Sequence, residues 1–113
     1  MKKNIGIIFA DDLEYLPFYD YAVKSGYGKS DVRSNECIHL QIGERQIFAV
    51  KSGIGKVNAA ASACDLIHMG ADLILNAGLS GAVSNLSRGD VAAGISYVEC
   101  DFDLTVFGYK KGE

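Results

Sequence analysis

This sequence has no long apolar run, no excess of positive charge and no paired cysteines, and each absence removes a class of function. No stretch of its 113 residues is long enough to span a bilayer. Its 11 lysines and arginines are outnumbered by 14 acidic residues, a net charge of −3. The chain therefore carries no electrostatic footprint for nucleic acid or for an anionic membrane. Cys37, Cys64 and Cys100 are odd in number, widely spaced and without a Cys-x-x-Cys. They read as three reduced thiols of a cytosolic protein rather than a disulfide framework. Met1-Lys2-Lys3 ahead of Ile5–Ala10 imitates a signal peptide, but the apolar stretch is too short and Asp11-Asp12 ends it. His39 falls on the polar face of a strand, and nothing near His68 completes a metal site.

What remains is a chain 49% hydrophobic and 22% charged, the composition of one soluble globular domain. A domain this short buries roughly two-thirds of its unfolded surface and is modestly stable. Asn4–Phe9 is a nearly continuous apolar run, a buried strand. Tyr15, Leu16, Phe18, Tyr19 and Tyr21 suggest a short aromatic helix broken near Pro17. Ser25–Asn35 is polar and reads as a loop; its Gly28-Lys29-Ser30 has Val23 where a P-loop needs its first glycine, so it is no phosphate site. Glu36–Ile42 and Gln46–Val50 flank Gly43-Glu44-Arg45 as a hairpin. Val57, Ala60, Ala61, Cys64 and Ile67 recur at helical spacing, and their small size lets the helix lie against a sheet, with Gly70 as its stop. Ala71–Asn76 reads as another buried strand, Arg88-Gly89-Asp90 as a plain turn, and Val91–Val98 as a last strand.

Three strand ends carry the candidate chemistry. Gly53-Ile54-Gly55 leads from one strand into a helix whose unpaired N–H groups face the turn, a place for an anion or a polar sugar hydroxyl. Alone, such a turn is more often a tight connection. Ala77-Gly78-Leu79-Ser80-Gly81-Ala82-Val83 repeats the pattern after the next strand, and Asp11-Asp12-Leu13-Glu14 follows the first. The carboxylates serve either chemistry at a strand end or the dipole of the helix they begin. The three turns together are expected to converge on one pocket. Phe102, Phe107 and Tyr109 close the chain without a covering helix, so a further half or a partner chain should cover them.

IGII with Glu14, SGIGKVNAA at Ser52–Ala60, LILNAGLSGAV, RGDV and DFDLTVFGY occur in this order. Together they resemble the N-terminal half of the 5′-methylthioadenosine/S-adenosylhomocysteine nucleosidases, in the nucleoside phosphorylase superfamily. The resemblance implies a three-layer α/β/α domain with a mixed, partly barrel-like sheet, incomplete at its C-terminus, over residues 1–113. It implies hydrolysis of the bond between a purine and a 5′-thio-substituted ribose by a cytoplasmic homodimer, with no cofactor and no metal. Glu14 falls on the catalytic glutamate that activates water. Ile54, Leu79, Ser80 and Gly81 fall on the substrate pocket, and Leu104 and Phe107 on residues that reach the neighbouring subunit's pocket. Superfamily phosphorylases hold phosphate with arginines where Glu14 and Asn76 stand here, which favours water over phosphate as the nucleophile. The family's leaving-group aspartate and ribose-gripping Met-Glu pair lie in a half beyond this chain, so the chain alone is expected to be inactive. Non-catalytic nucleoside binding or oligomerisation is the competing reading, and a phosphorylase the third. Phe9, Asp11 and Leu79 depart from the family pattern, and Phe9 is bulky enough to crowd the pocket.

Overall fold

The computed structural model describes residues 3–26, 29–32, 35–99, 101 and 103–111. They form two compact units, Met1–Ser80 and Gly81–Glu113. Cys100 and Phe102, and Gly28 of the Gly-Lys-Ser tripeptide, lie outside the described residues.

The first unit is organised around β1 (Ile5–Phe9), which is followed by α1 (Asp12–Lys24), β2 (Lys29–Val32), β3 (Asn35–Ile42), β4 (Arg45–Lys51), α2 (Lys56–His68) and β5 (Leu73–Asn76). The strands make one open mixed sheet in the order β2-β3-β4-β1-β5. β4 and β5 flank β1 in parallel, whereas β3 runs antiparallel to both of its neighbours, β2 and β4. Alternation along the strands sorts side chains into two cores. Phe9, Ile38, Leu40 and Ala49 face α1, where Tyr15 and Ala22 complete the cluster. Ile8, Cys37, Phe48 and Val50 face α2 and pack against Leu66. Helices on both faces give the three-layer α/β/α arrangement. A strand buried on both faces must be apolar throughout, which is why β1 reads as an unbroken run.

Several elements differ from the sequence expectation. Helix α1 runs straight through Pro17. Proline there removes one hydrogen bond and leaves the carbonyl of Leu13 over, on a residue 78% exposed that water reaches. Packing of Tyr15, Phe18, Tyr19 and Ala22 against the sheet holds the helix across that gap. The Ser25–Asn35 stretch is not all loop, because β2 pairs with β3 in register Lys29↔Ile38 to Val32↔Asn35. An edge strand is held by backbone bonds and needs no apolar pattern. Cys37, on the side of β3 that reads as polar, is fully buried beneath α2.

Helix α2 also turns a different face inward. Ser62 and Leu66 are its buried residues, with Ala63 half-buried beside them, while Val57 and Ile67 of the apolar stripe are exposed. Alanines line both sides of this helix, so the large residue decides. Leu66 seats over Gly6, where a Cβ would come within 3.0 Å of its Cδ1. Strand β5 is an edge rather than a buried strand, with Leu73 and Leu75 exposed.

In the second unit, the Arg88-Gly89-Asp90 turn is present, closed by Asp90 N–H to Ser87 O at 3.1 Å and Ser87 N–H to Asp90 Oδ2 at 2.8 Å. Val91–Val98 forms no strand, and Val91 and Ile95 are almost fully exposed. Apolar alternation makes a strand only where a neighbouring edge accepts its backbone. A short 3₁₀ turn at Thr105–Phe107 is the unit's one helical element among the described residues.

Candidate functional site

Because β1, β4 and β5 are mutually parallel, their carboxyl ends lie along the same edge of the sheet. Open α/β sheets bind ligands outside that edge. Backbone bonds tie the three ends together. Ser52, just past β4, donates its N–H (2.9 Å) and its hydroxyl (3.3 Å) to Phe9 O. Ala77, just past β5, donates to Ile8 O at 2.9 Å.

Helix α1 starts from this edge. Asp11 is its N-cap and accepts from the Glu14 N–H at 3.1 Å. An aspartate at the cap with a glutamate three residues on is the spacing of a capping box, in which the glutamate reaches back to a backbone N–H. Here it reaches further. Glu14 Oε2 accepts from Ala10 N–H at 3.0 Å, and Oε1 accepts from Leu79 N–H at 2.9 Å. The carboxylate thus bridges the ends of β1 and β5, half-buried, with each oxygen bound once. An ionised carboxylate has about four lone-pair positions, so each oxygen keeps capacity for a further donor such as water. Beside it, Lys51 at the end of β4 pairs with Asp12 Oδ1 at 2.6 Å.

The turn after β4 is shaped by glycine. Gly53 and Gly55 have φ of 85° and 104°, and Gly55 caps α2 without a side-chain hydrogen bond. Asn58 stays local, donating from Nδ2 to Ile54 O at 2.7 Å. Ile54 stands 77% exposed between the glycines.

Of the residues singled out from sequence, Glu14 and Leu79 are in direct contact, through the Leu79 backbone. Leu79 and Ser80 are exposed just beyond β5, and Ile54 lies in the turn after β4, on the other side of β1. Gly81, Leu104 and Phe107 belong to the second unit, where Gly81 and Phe107 are exposed and Leu104 half-buried. In that unit Thr105, through its hydroxyl and then its N–H, holds the Asp103 carboxyl below the usual carboxylate range. Phe9 does not crowd the strand-end edge. Its ring packs into the α1 core, 5.9 Å from Tyr15 and 5.4 Å from Phe18. Asp11 is a helix cap. Sequence reasoning missed the Ala10 and Leu79 N–H groups and the Lys51–Asp12 pair. The Asp-x-x-Glu spacing was the available signal for the first of these. No group of three or more His, Cys, Asp or Glu suited to a metal occurs among the described residues, nor is any helix long and apolar enough to cross a membrane.

This arrangement has clear relatives among solved structures. A putative 5′-methylthioadenosine/S-adenosylhomocysteine nucleosidase from Francisella philomiragia superposes with a TM-score of 0.85 at 30% identity, over 99% of this chain and 49% of that one. The 5′-methylthioadenosine/S-adenosylhomocysteine nucleosidase of Neisseria meningitidis, solved with methylthio-immucillin-A, gives 0.83 at 27% identity over 99% and 48%. Futalosine hydrolase of Helicobacter pylori, solved as a mutant, shares the fold at 0.84 with 24% identity over 99% and 49%. The chain spans about half the length of these relatives. A search of curated proteins finds no match. The phosphorylase superfamily model matches residues 4–112. With nearly every residue inside that match, the chain belongs to the phosphorylase superfamily.

Proposed function

We propose that the edge carrying Glu14 is the water-activating part of a purine nucleosidase site, acting on nucleosides of the 5′-methylthioadenosine/S-adenosylhomocysteine type. The observation that carries this reading is the Glu14 carboxylate, fixed by the Ala10 and Leu79 N–H groups, whose remaining lone pairs can take a water. In the proposed reaction Glu14 accepts a proton as water attacks the ribose C1′ and the bond to the purine nitrogen breaks. The same carboxylate faces the positive charge that develops on the sugar. Ile54 is the apolar contact for the 5′-thio group, and Leu79 and Ser80 line the nucleoside. The neighbours that carry methylthio-nucleoside analogues support this substrate class. A phosphorylase would place a phosphate dianion against Glu14, an electrostatic conflict that water avoids.

The reading includes that this chain does not turn over substrate by itself, because the family resemblance puts the purine acid and the ribose grip in the other half. The test is adenine release from methylthioadenosine. The 113-residue chain alone should give none, and joining it to the remaining half of a family enzyme should restore turnover without phosphate. Glu14→Gln in the joined protein should lower that turnover about 10²–10⁴-fold. Turnover unaffected by Glu14→Gln would sink the assignment. A non-catalytic oligomerising module is the second reading, favoured by exposed Phe107 and by the exposed Val57 and Ile67 of α2. It predicts self-association of the chain and no heat on titration with adenosine analogues.

A further inference from the structure

Gly78 contributes no side chain to the site, and its backbone does not call for glycine, since it is not among the residues with positive φ. The reason for a glycine lies in what occupies the space. A Cβ on Gly78 would lie 2.5 Å from Glu14 Oε1, 2.8 Å from its Cδ and 2.9 Å from its Oε2. All three nearest atoms are the carboxylate. Three residues further on, a Cβ at Gly81 would meet nothing within 4 Å. Of the two glycines of this turn, only Gly78 is crowded. We propose that Gly78 is a positioning residue for Glu14: its missing side chain is the room that lets one carboxylate reach the N–H groups of Ala10 and Leu79 together.

This inference rests on the nucleosidase reading for its functional consequence but not for its structural one. The crowded atoms are the end of a flexible, half-buried side chain. An alanine at 78 is relieved by swinging the carboxylate away from the edge, at the loss of both backbone bonds, rather than by unfolding. The substitution should therefore spare the fold and remove the geometry that holds Glu14 against an attacking water. A residue that acted only through backbone strain would behave otherwise, because its effect would not depend on what stands at position 14.

The experiment is a double-mutant cycle on the ¹⁵N-labelled 113-residue chain, read at the amide protons of Ala10 and Leu79. Gly78→Ala should shift the Ala10 signal as far as Glu14→Ala does and, in the Glu14→Ala background, shift it no further; Leu79, bonded directly to residue 78, is read as the excess over its shift in that background. Signals unmoved by Gly78→Ala, or moved equally with and without Glu14, would overturn the proposal. In the joined, active protein, Gly78→Ala should lower kcat about 10²-fold or more with KM little changed, and add nothing to Glu14→Gln. Moved amides with undiminished turnover would uphold the positioning role and overturn the water-activating role of Glu14 instead.

Discussion

At the head of α1 the chain places three acidic side chains with defined partners, whereas at the head of α2 it places none. Asp11 caps the first helix, Asp12 pairs with Lys51, and Glu14 folds back onto Ala10 and Leu79. The second helix begins at Gly55 with no side-chain cap and no acidic residue in its first turn. Both turns leave the same edge of one parallel sheet, so the contrast isolates local chemistry from topology. A side-chain cap fills the helix N-terminus with the protein's own oxygen atoms and turns the start of α1 into a rigid mount for Glu14. A glycine-shaped turn sets the path of the chain through backbone conformation, and Asn58, whose side chain ties it, donates to the Ile54 carbonyl rather than capping the helix. One turn thus holds a carboxylate in place, and the other leaves Ile54 exposed between two glycines.

The largest effect should come from breaking the glycine turn. Gly55 combines φ 104° with ψ 160°, a region essentially confined to glycine. Gly55→Ala should destabilise the chain by about 1–3 kcal/mol, read as a lower urea midpoint with an unchanged m-value. A loss below that of a capping substitution would mean that the turn relaxes and that backbone shape is not what defines it.

Removing the cap of the other turn should cost less. Asp11→Ala deletes an oxygen that the Glu14 N–H uses and should lower stability by about 1 kcal/mol. Asp11→Asn, which keeps an acceptor at the same place, should recover most of that loss. The amide signals of Ala10 and Leu79 sharpen the comparison, because a cap that mounts Glu14 predicts that they respond to Asp11→Ala and hardly to Gly55→Ala.

The same contrast explains which parts were legible in the sequence. β1, the β3–β4 hairpin and the start of α2 were readable because apolar runs, a glycine-bearing turn and the Gly-x-Gly each have one physical cause. The inward face of α2 was not, because Ala59, Ala60, Ala61 and Ala63 make its two sides alike, and only the pairing of Leu66 with Gly6 separates them. Strand β2 left no apolar trace, since its pairing runs through backbone atoms. Val91–Val98 carried the alternation of a strand without the neighbouring edge that would make it one. At the site, Glu14 was readable as a residue but not as a geometry. Its two partners are backbone N–H groups, which every sequence supplies, and one comes from 65 positions away.

The Lys51–Asp12 pair should have the smallest effect and is the sharpest check on how the two turns are coupled. The 2.6 Å contact joins the end of β4 to the first turn of α1, so it spans the very regions being contrasted. Both side chains are partly exposed, at 37% and 63%, and solvent screens such a pair. Lys51→Met, which keeps much of the apolar stem, should therefore cost no more than about 1 kcal/mol. Part of even that cost should fade as salt is raised towards 1 M, where the Debye length is about 3 Å. A double-mutant cycle with Asp12→Asn should recover a coupling of the same small size. If the coupling is instead several times larger and insensitive to salt, the two turns form one electrostatic unit, and Glu14 is mounted on β4 as firmly as on β1.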